Sequence, residues 1–107
     1  MQPDAIENLR AMRGGPRDGV LLRMSLANAL LANSDMPAAI TELHEALRFD
    51  PGYSAAWKLL GKTLAGTGST AAAIDAYQAG IAAANERGDK QAEKEMTVFL
   101  RRLTRAG

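Results

Sequence analysis

The feature that most constrains this chain is an internal repeat. When the sequence is shifted by 34 residues, segment 20–53 lies over segment 54–87, with large apolar residues on large ones and small residues on small ones. Self-similarity at such a period is typical of stacked units, each of which buries its apolar face only against its neighbours. The matched pairs are Leu26 with Leu60, Ala27 with Gly61, Leu30 with Leu64, Ala39 with Ala73, Ile40 with Ile74, Leu43 with Tyr77, Ala46 with Gly80 and Leu47 with Ile81.

The repeated units are predicted to be α-helical. Alanine is frequent, aromatic residues make up 5% of the chain, and apolar residues recur every three or four positions, which is the spacing of one helix face. Turn-forming residues divide the chain into about six helices. Their predicted bounds are about 4–14, 20–33, 35–50, 54–67, 70–87 and 89–104, with Asp18, Asp35, Ser54, Ser69 or Thr70, and Asp89 at the N-terminal ends of the last five.

The two ends of the chain are predicted to differ from the repeats. Shifted backwards, Pro3, Ala5, Ile6 and Leu9 fall on Pro37, Ala39, Ile40 and Leu43, as in a repeat that lacks its first helix. Shifted forwards, Gln91, Lys94 and Glu95 take the apolar positions, so the last helix is expected to cap the array. We therefore predict one domain over residues 1–107, composed of a half repeat (3–19), two repeats (20–53 and 54–87) and a capping helix (88–107).

The second copy carries the motif Trp57-x-x-Leu60-Gly61-x-x-Leu64, followed by Ala73-x-x-x-Tyr77. This pattern resembles the tetratricopeptide repeat. The resemblance implies an all-α fold of antiparallel helix hairpins that stack into a right-handed superhelix. The first copy follows the pattern with Leu26, Ala27, Leu30, Ala39, Leu43, Ala46 and Pro51, and departs from it at Arg23, which stands where the second copy has Trp57; the second copy departs at Asn85, which replaces the closing proline.

Side chains that would indicate catalysis, a cofactor or a metal ion are few. The chain has no cysteine and one histidine, His44, which is expected on a solvated helix face. Gly61-Lys62-Thr63 resembles the end of a phosphate-binding loop, but it lies within a predicted helix and lacks the required glycine at Ala56. The acidic residues are expected on exposed helix faces. We therefore predict no catalytic, cofactor-binding or metal-binding residue, and a protein that is not an enzyme.

Net charge and hydropathy also exclude classes of partner. The formal net charge is +1 and no apolar run is long enough to span a membrane. The N-terminus lacks the pattern of a secretory signal, so we expect a cytoplasmic protein that binds neither nucleic acid nor membrane. RNA binding through Arg101, Arg102 and Arg105 is disfavoured because no aromatic platform accompanies them.

The resemblance implies a binding surface, since the first helix of each hairpin lines the concave groove in this family. A peptide or helical segment of another protein is the expected ligand, and Lys58 and Lys62, one turn apart, favour an acidic segment or a C-terminal carboxylate. Asn28 matches one member of a family carboxylate clamp, whereas Met24 and Leu59 replace two others. The predicted groove residues are Leu21, Met24, Asn28 and Leu31 of the first repeat, and Ala55, Lys58, Lys62 and Ala65 of the second.

Self-assembly is the alternative function. The N-terminal half repeat carries Ile6, Leu9 and Met12 on a helix that lacks its own partner helix. Such an apolar face could pair with a second copy of the chain. The sequence thus leaves open a monomeric adaptor and a weak homodimer.

Overall fold

The computed structural model describes residues 3–106, with the side chains of residues 5–105, and this part of the chain is all-α. The prediction of an all-α fold with six helices is confirmed. Where the helix bounds differ from the predicted ones, they do so mainly at the C-terminal end of the first helix. The helices are α1 (Pro3–Ala11), α2 (Val20–Ala32), α3 (Met36–Phe49), α4 (Ser54–Gly66), α5 (Thr70–Arg87) and α6 (Lys90–Ala106).

Two of the predicted helix starts have the expected cap. The backbone N–H of Ala38 donates to Oδ1 of Asp35 at 3.3 Å, and Pro37 lies in the first turn of α3. Asp89 accepts a hydrogen bond from the N–H of Ala92 at 3.2 Å ahead of α6. Just before it, Gly88 ends α5 in the left-handed conformation (φ 74°), which glycine adopts without steric penalty.

At three other helix starts the predicted side-chain cap is wrong. Asp18 does not cap α2, because its carboxylate binds the N–H groups of Gly14 and Gly19 and the guanidinium of Arg23 instead. Ser54 is already the first residue of α4, and its hydroxyl donates to Asp89 at 2.7 Å. Ser69 precedes α5 without a side-chain capping bond. In the first two cases a hydrogen bond to a charged group replaces the weaker cap interaction: Asp18 binds a guanidinium, and Ser54 binds a carboxylate.

The chain divides into two compact units between Asp50 and Pro51. In the first unit, α1 packs on α2, and α2 packs on α3. The α2–α3 hairpin closes on alanines that are fully buried, so the two backbones approach closely while leucines fill the space beside them. Among the buried alanines are Ala27, Ala39 and Ala46, and among the leucines are Leu26, Leu30 and Leu43.

In the second unit, α5 packs against both α4 and α6. Gly61 faces the ring of Tyr77, and a Cβ at Gly61 would lie 2.5 Å from Tyr77 Cε1. Gly80 is equally close to Met96 and Trp57. The core around these contacts combines Tyr77, Ala84, Ala92 and Met96 with the partly buried Trp57, Ile81, Phe99, Leu100 and Leu103.

The close contacts predict how the second unit responds to a single added methyl group. Gly61→Ala and Gly80→Ala should each lower the free energy of unfolding by about 1–3 kcal/mol, because the new Cβ overlaps a packed side chain. Gly66→Ala is the matched control: it also lies in α4, and no atom lies within 4 Å of its added Cβ. Denaturant unfolding followed by circular dichroism checks this, and equal midpoints for all three variants would contradict the packing described.

Candidate functional site

The predicted groove residues of the first unit share one face of α2. Leu21, Met24, Asn28 and Leu31 follow one another at intervals of three and four residues, which places them along one side of the helix. Leu21 is 68% exposed, Met24 and Leu31 are half-buried, and Asn28 is exposed, with its Nδ2 donating to the carbonyl of Met24 at 3.0 Å. We call this set the α2 face. It is apolar but for one amide.

The predicted groove residues of the second unit lie on α4, where α6 contacts both lysines. Lys58 Nζ lies 3.0 Å from Glu95 Oε1, and Lys62 Nζ lies 5.7 Å from the ring centroid of Phe99. Both groups of the ion pair are about one-third exposed, so water screens it and its contribution to stability is modest. Ala55 is exposed and Ala65 half-buried.

These α6 contacts were missed at the level of the sequence. Glu95 and Phe99 are four residues apart and therefore share a side of α6. This spacing indicates that both could contact the same neighbouring helix. Which residues of α4 they meet depends on how α6 packs in the second unit, and the periodicity of α6 alone does not provide that. The consequence is that Lys58 carries a positive charge already compensated by Glu95, whereas Lys62 stays exposed.

Arg23, which stands in place of the tryptophan, is the centre of an ion-pair network in the first unit. Its Nε and Nη2 donate to the two carboxylate oxygens of Asp18, both at 2.9 Å. Its Nη1 donates to Glu42 Oε1 at 2.9 Å, and Glu42 Oε2 accepts from Arg13 Nη1 at the same distance. The guanidinium carbon also lies 5.9 Å from the ring centroid of Phe49.

The expectation that all acidic residues are solvated is wrong for Glu42, which is 3% exposed. A carboxylate is tolerated there because two guanidinium groups, from Arg13 and Arg23, bind its two oxygens. A signal was present in the sequence, because Arg23 and Glu42 both lack a charged counterpart one repeat later, at Trp57 and Ala76.

The network shifts the acid–base properties of its members. Hydrogen bonding from Arg23, together with the N–H of Gly14, holds the pKa of the Asp18 carboxyl well below its usual range. Hydrogen bonding to the Asp18 carboxylate in turn raises the pKa of the Arg23 guanidinium above its usual value. The ion pairs of this network therefore link the α1–α2 connection, which carries Arg13 and Asp18, to α2 and α3.

The face on which the self-assembly alternative depends is partly covered within the first unit. Ile6 is 5% exposed and Leu9 is half-buried, while Met12 is 37% exposed. The packing of α1 on α2 covers Ile6, whereas Met12, predicted on the same helix, lies beyond the end of α1 and stays exposed. His44 is exposed on α3, as predicted.

Comparison with known proteins gives consistent similarities. Residues 3–54 and 24–87 match the sequence model of the tetratricopeptide repeat. A TPR repeat-containing protein of Pseudomonas aeruginosa is 48% identical over 101 residues, which is 94% of this chain and 96% of the relative. A solution structure from Bordetella parapertussis is 48% identical, with a TM-score of 0.82 over 99% of this chain and 91% of the other. A tetratricopeptide repeat domain of Salinibacter ruber is 28% identical, with a TM-score of 0.76 over 82% and 88%.

The Asp18–Arg23 contact predicts an acid-sensitive first unit. Because the pKa of Asp18 is lower in the folded state, its stabilising contribution is present above its unfolded pKa of about 3.9 and is lost as pH falls below that value. Asp18→Asn should therefore be less stable than wild type at neutral pH, and the difference should shrink towards pH 2. Thermal unfolding across this range tests it, with Asp75→Asn, at an exposed position of α5, as the control. Parallel curves for wild type and Asp18→Asn would contradict the assignment.

Proposed function

Because the chain belongs to the tetratricopeptide repeat family, we propose that it is an adaptor that binds a peptide or helical segment of a partner protein through the first helices of its repeats. Tetratricopeptide repeats generally mediate protein–protein interaction, and proteins of this family are typically scaffolds rather than enzymes. Among the helices of residues 3–106, none is both long and apolar enough to cross a bilayer. The cytoplasm is the compartment that this proposal assumes.

The observation that carries the proposal is the exposure of the α2 face. Leu21 is the most exposed of the large apolar side chains with described exposure, and it lies beside the half-buried Met24 and Leu31. An apolar side chain from a partner would remove this surface from water, which is the main source of affinity in such grooves. Methionine adapts its shape to different ligands, and Asn28 adds a polar group that can orient a peptide backbone.

The lysines of α4 support a finer proposal, that the partner segment is acidic or ends in a carboxylate. Lys62 is exposed and is the more accessible of the two, since its contact is with the Phe99 ring rather than with a carboxylate. Lys58 would have to exchange Glu95 for a partner carboxylate. Exposed charge contacts of this kind contribute mainly orientation and association rate.

The test compares three variants with substitutions at exposed positions. Proteins captured from a lysate by wild type would be quantified against Leu21→Asp, Lys62→Glu and the control His44→Asp on α3. The recovered partner segment would then be titrated by calorimetry. Leu21→Asp should weaken binding by roughly ten- to a hundredfold, the equivalent of one buried leucine. Lys62→Glu should weaken it less, and mostly at low salt.

Two results would overturn the assignment. If the partner bound Leu21→Asp as tightly as wild type while His44→Asp lost affinity, binding would involve the face of α3 instead. If Lys62→Glu bound the partner as tightly as wild type at every salt concentration, the proposal of an acidic partner segment would be wrong. The proposed apolar contact on α2 would be unaffected.

A further inference from the structure

Helix α6 carries a stripe of positive charge on its outer side. Lys90, Lys94, Arg101 and Arg105 are all exposed. At about 100° per residue these four positions fall within an arc of roughly 60°. We call them the α6 stripe. From the first to the last, it extends about 22 Å along the helix axis.

The α6 stripe has no acidic partner in the part of the chain that the structure describes. The two carboxylates of α6 are used elsewhere: Glu95 binds Lys58, and Glu93 Oε2 accepts from Asn85 Nδ2 at 3.1 Å. No ion pair joins the stripe to any carboxylate within residues 5–105. Among the described residues, four positive charges therefore lie on one side of one helix without an ion pair, and the one carboxylate in the depression beside them, that of Glu93, is hydrogen-bonded to Asn85.

The stripe lies on a firmly held helix and contains an apolar contact point. The inner side of α6 packs in the second core, with Met96 fully buried and Ala92 7% exposed. On the outer side, Val98 is 37% exposed. It lines this shallow depression together with the stripe residues Lys90, Lys94 and Arg101, and Glu93 and Thr97 complete the lining. A ligand would thus meet positive charges carried by a packed helix around one aliphatic side chain.

The geometry points to a second docking surface, which takes an acidic segment of a protein partner and is distinct from the α2 face. A partner helix with carboxylates at the same spacing, and a small apolar residue near its middle, matches both the charges and Val98. Charge complementarity of this kind sets partner choice and association rate.

Two other anionic ligands fit the α6 stripe less well. Single-stranded nucleic acid needs aromatic side chains on which bases can stack, and Phe99 of α6 instead packs against Tyr77, with ring centroids 5.9 Å apart. A membrane surface needs a helix with a free apolar face. The apolar face of α6 is occupied by the core of the second unit.

The experiment measures fluorescence anisotropy of a labelled, alanine-based helical peptide that carries glutamates at the spacing of the α6 stripe. The full chain is compared with Lys94→Glu/Arg101→Glu and with a control of equal charge change, Arg17→Glu/Arg48→Glu, at exposed positions of the first unit. A peptide with glutamine in place of glutamate, a mixed-sequence single-stranded RNA and phosphatidylserine vesicles are measured in parallel. Circular dichroism establishes that each variant is folded, and Lys94→Gln/Arg101→Gln replaces the reversal variant if that one is not.

We expect the glutamate peptide to bind wild type and the control, and the α6 variant to lose affinity by about tenfold or more. Binding should weaken as salt rises from about 0.05 M to 0.15 M, because screening shortens the range of exposed charges. Equal loss in both double variants, equal binding of the glutamine peptide, or no binding by wild type would overturn the proposal. RNA or vesicles that bound the α6 stripe in place of the peptide would overturn it as well.

Discussion

The close approach of helices within each unit is the constraint on which the rest of the structure depends. Gly61 and Gly80 leave no room for a Cβ beside Tyr77 and Met96, and Ala39 is fully buried in the first unit. When backbones come this close, large side chains must occupy the adjacent positions to fill the remaining volume. The alternation of small and large residues is therefore forced on both copies. This alternation involves the inner sides of the helices, which form the packing. The outer sides, including the α2 face and the α6 stripe, are not constrained by it and can carry different residues in each helix.

The two units meet this constraint with different chemistry at one equivalent position. In the second unit Trp57 fills the space, and its Nε1 donates to the carbonyl of Pro51 at 2.7 Å. In the first unit Arg23 occupies the position and relies on Asp18 and Glu42. One repeat later, those two acids are replaced by Gly52 and Ala76, so an arginine at residue 57 would find no carboxylate at these two positions. The change from arginine to tryptophan thus accompanies the loss of both acids. As a result, the buried charged residues of the described chain lie in the first unit.

The sequence predicted local and periodic features well, and contacts between distant side chains poorly. Helix bounds and buried leucines such as Leu26 and Leu60 follow from apolar spacing and turn residues, which act over a few positions. The two arginines that bind Glu42 are 19 and 29 residues away along the chain, and the glutamate that binds Lys58 is 37 residues away. These contacts depend on the packing of whole helices, for which one sequence provides only weak signals. The same reason explains why the helical face shared by the residues of the α2 face follows from their spacing, whereas the carboxylate facing Lys58 was not anticipated.

The distribution of acids on α6 has a consequence for any anionic partner. At α4, a ligand carboxylate that approaches Lys58 must displace Glu95 from its 3.0 Å contact. The binding free energy gained is then only the difference between two similar ion pairs, reduced by the entropic cost of ordering the ligand. At the α6 stripe, a ligand carboxylate has no ion pair among the described residues to displace, because Glu95 binds Lys58, and Glu93, which lines the same depression, accepts from Asn85. In the proposed arrangement, an acidic segment therefore meets no competing ion pair of the described chain at the α6 stripe, whereas it meets one at Lys58.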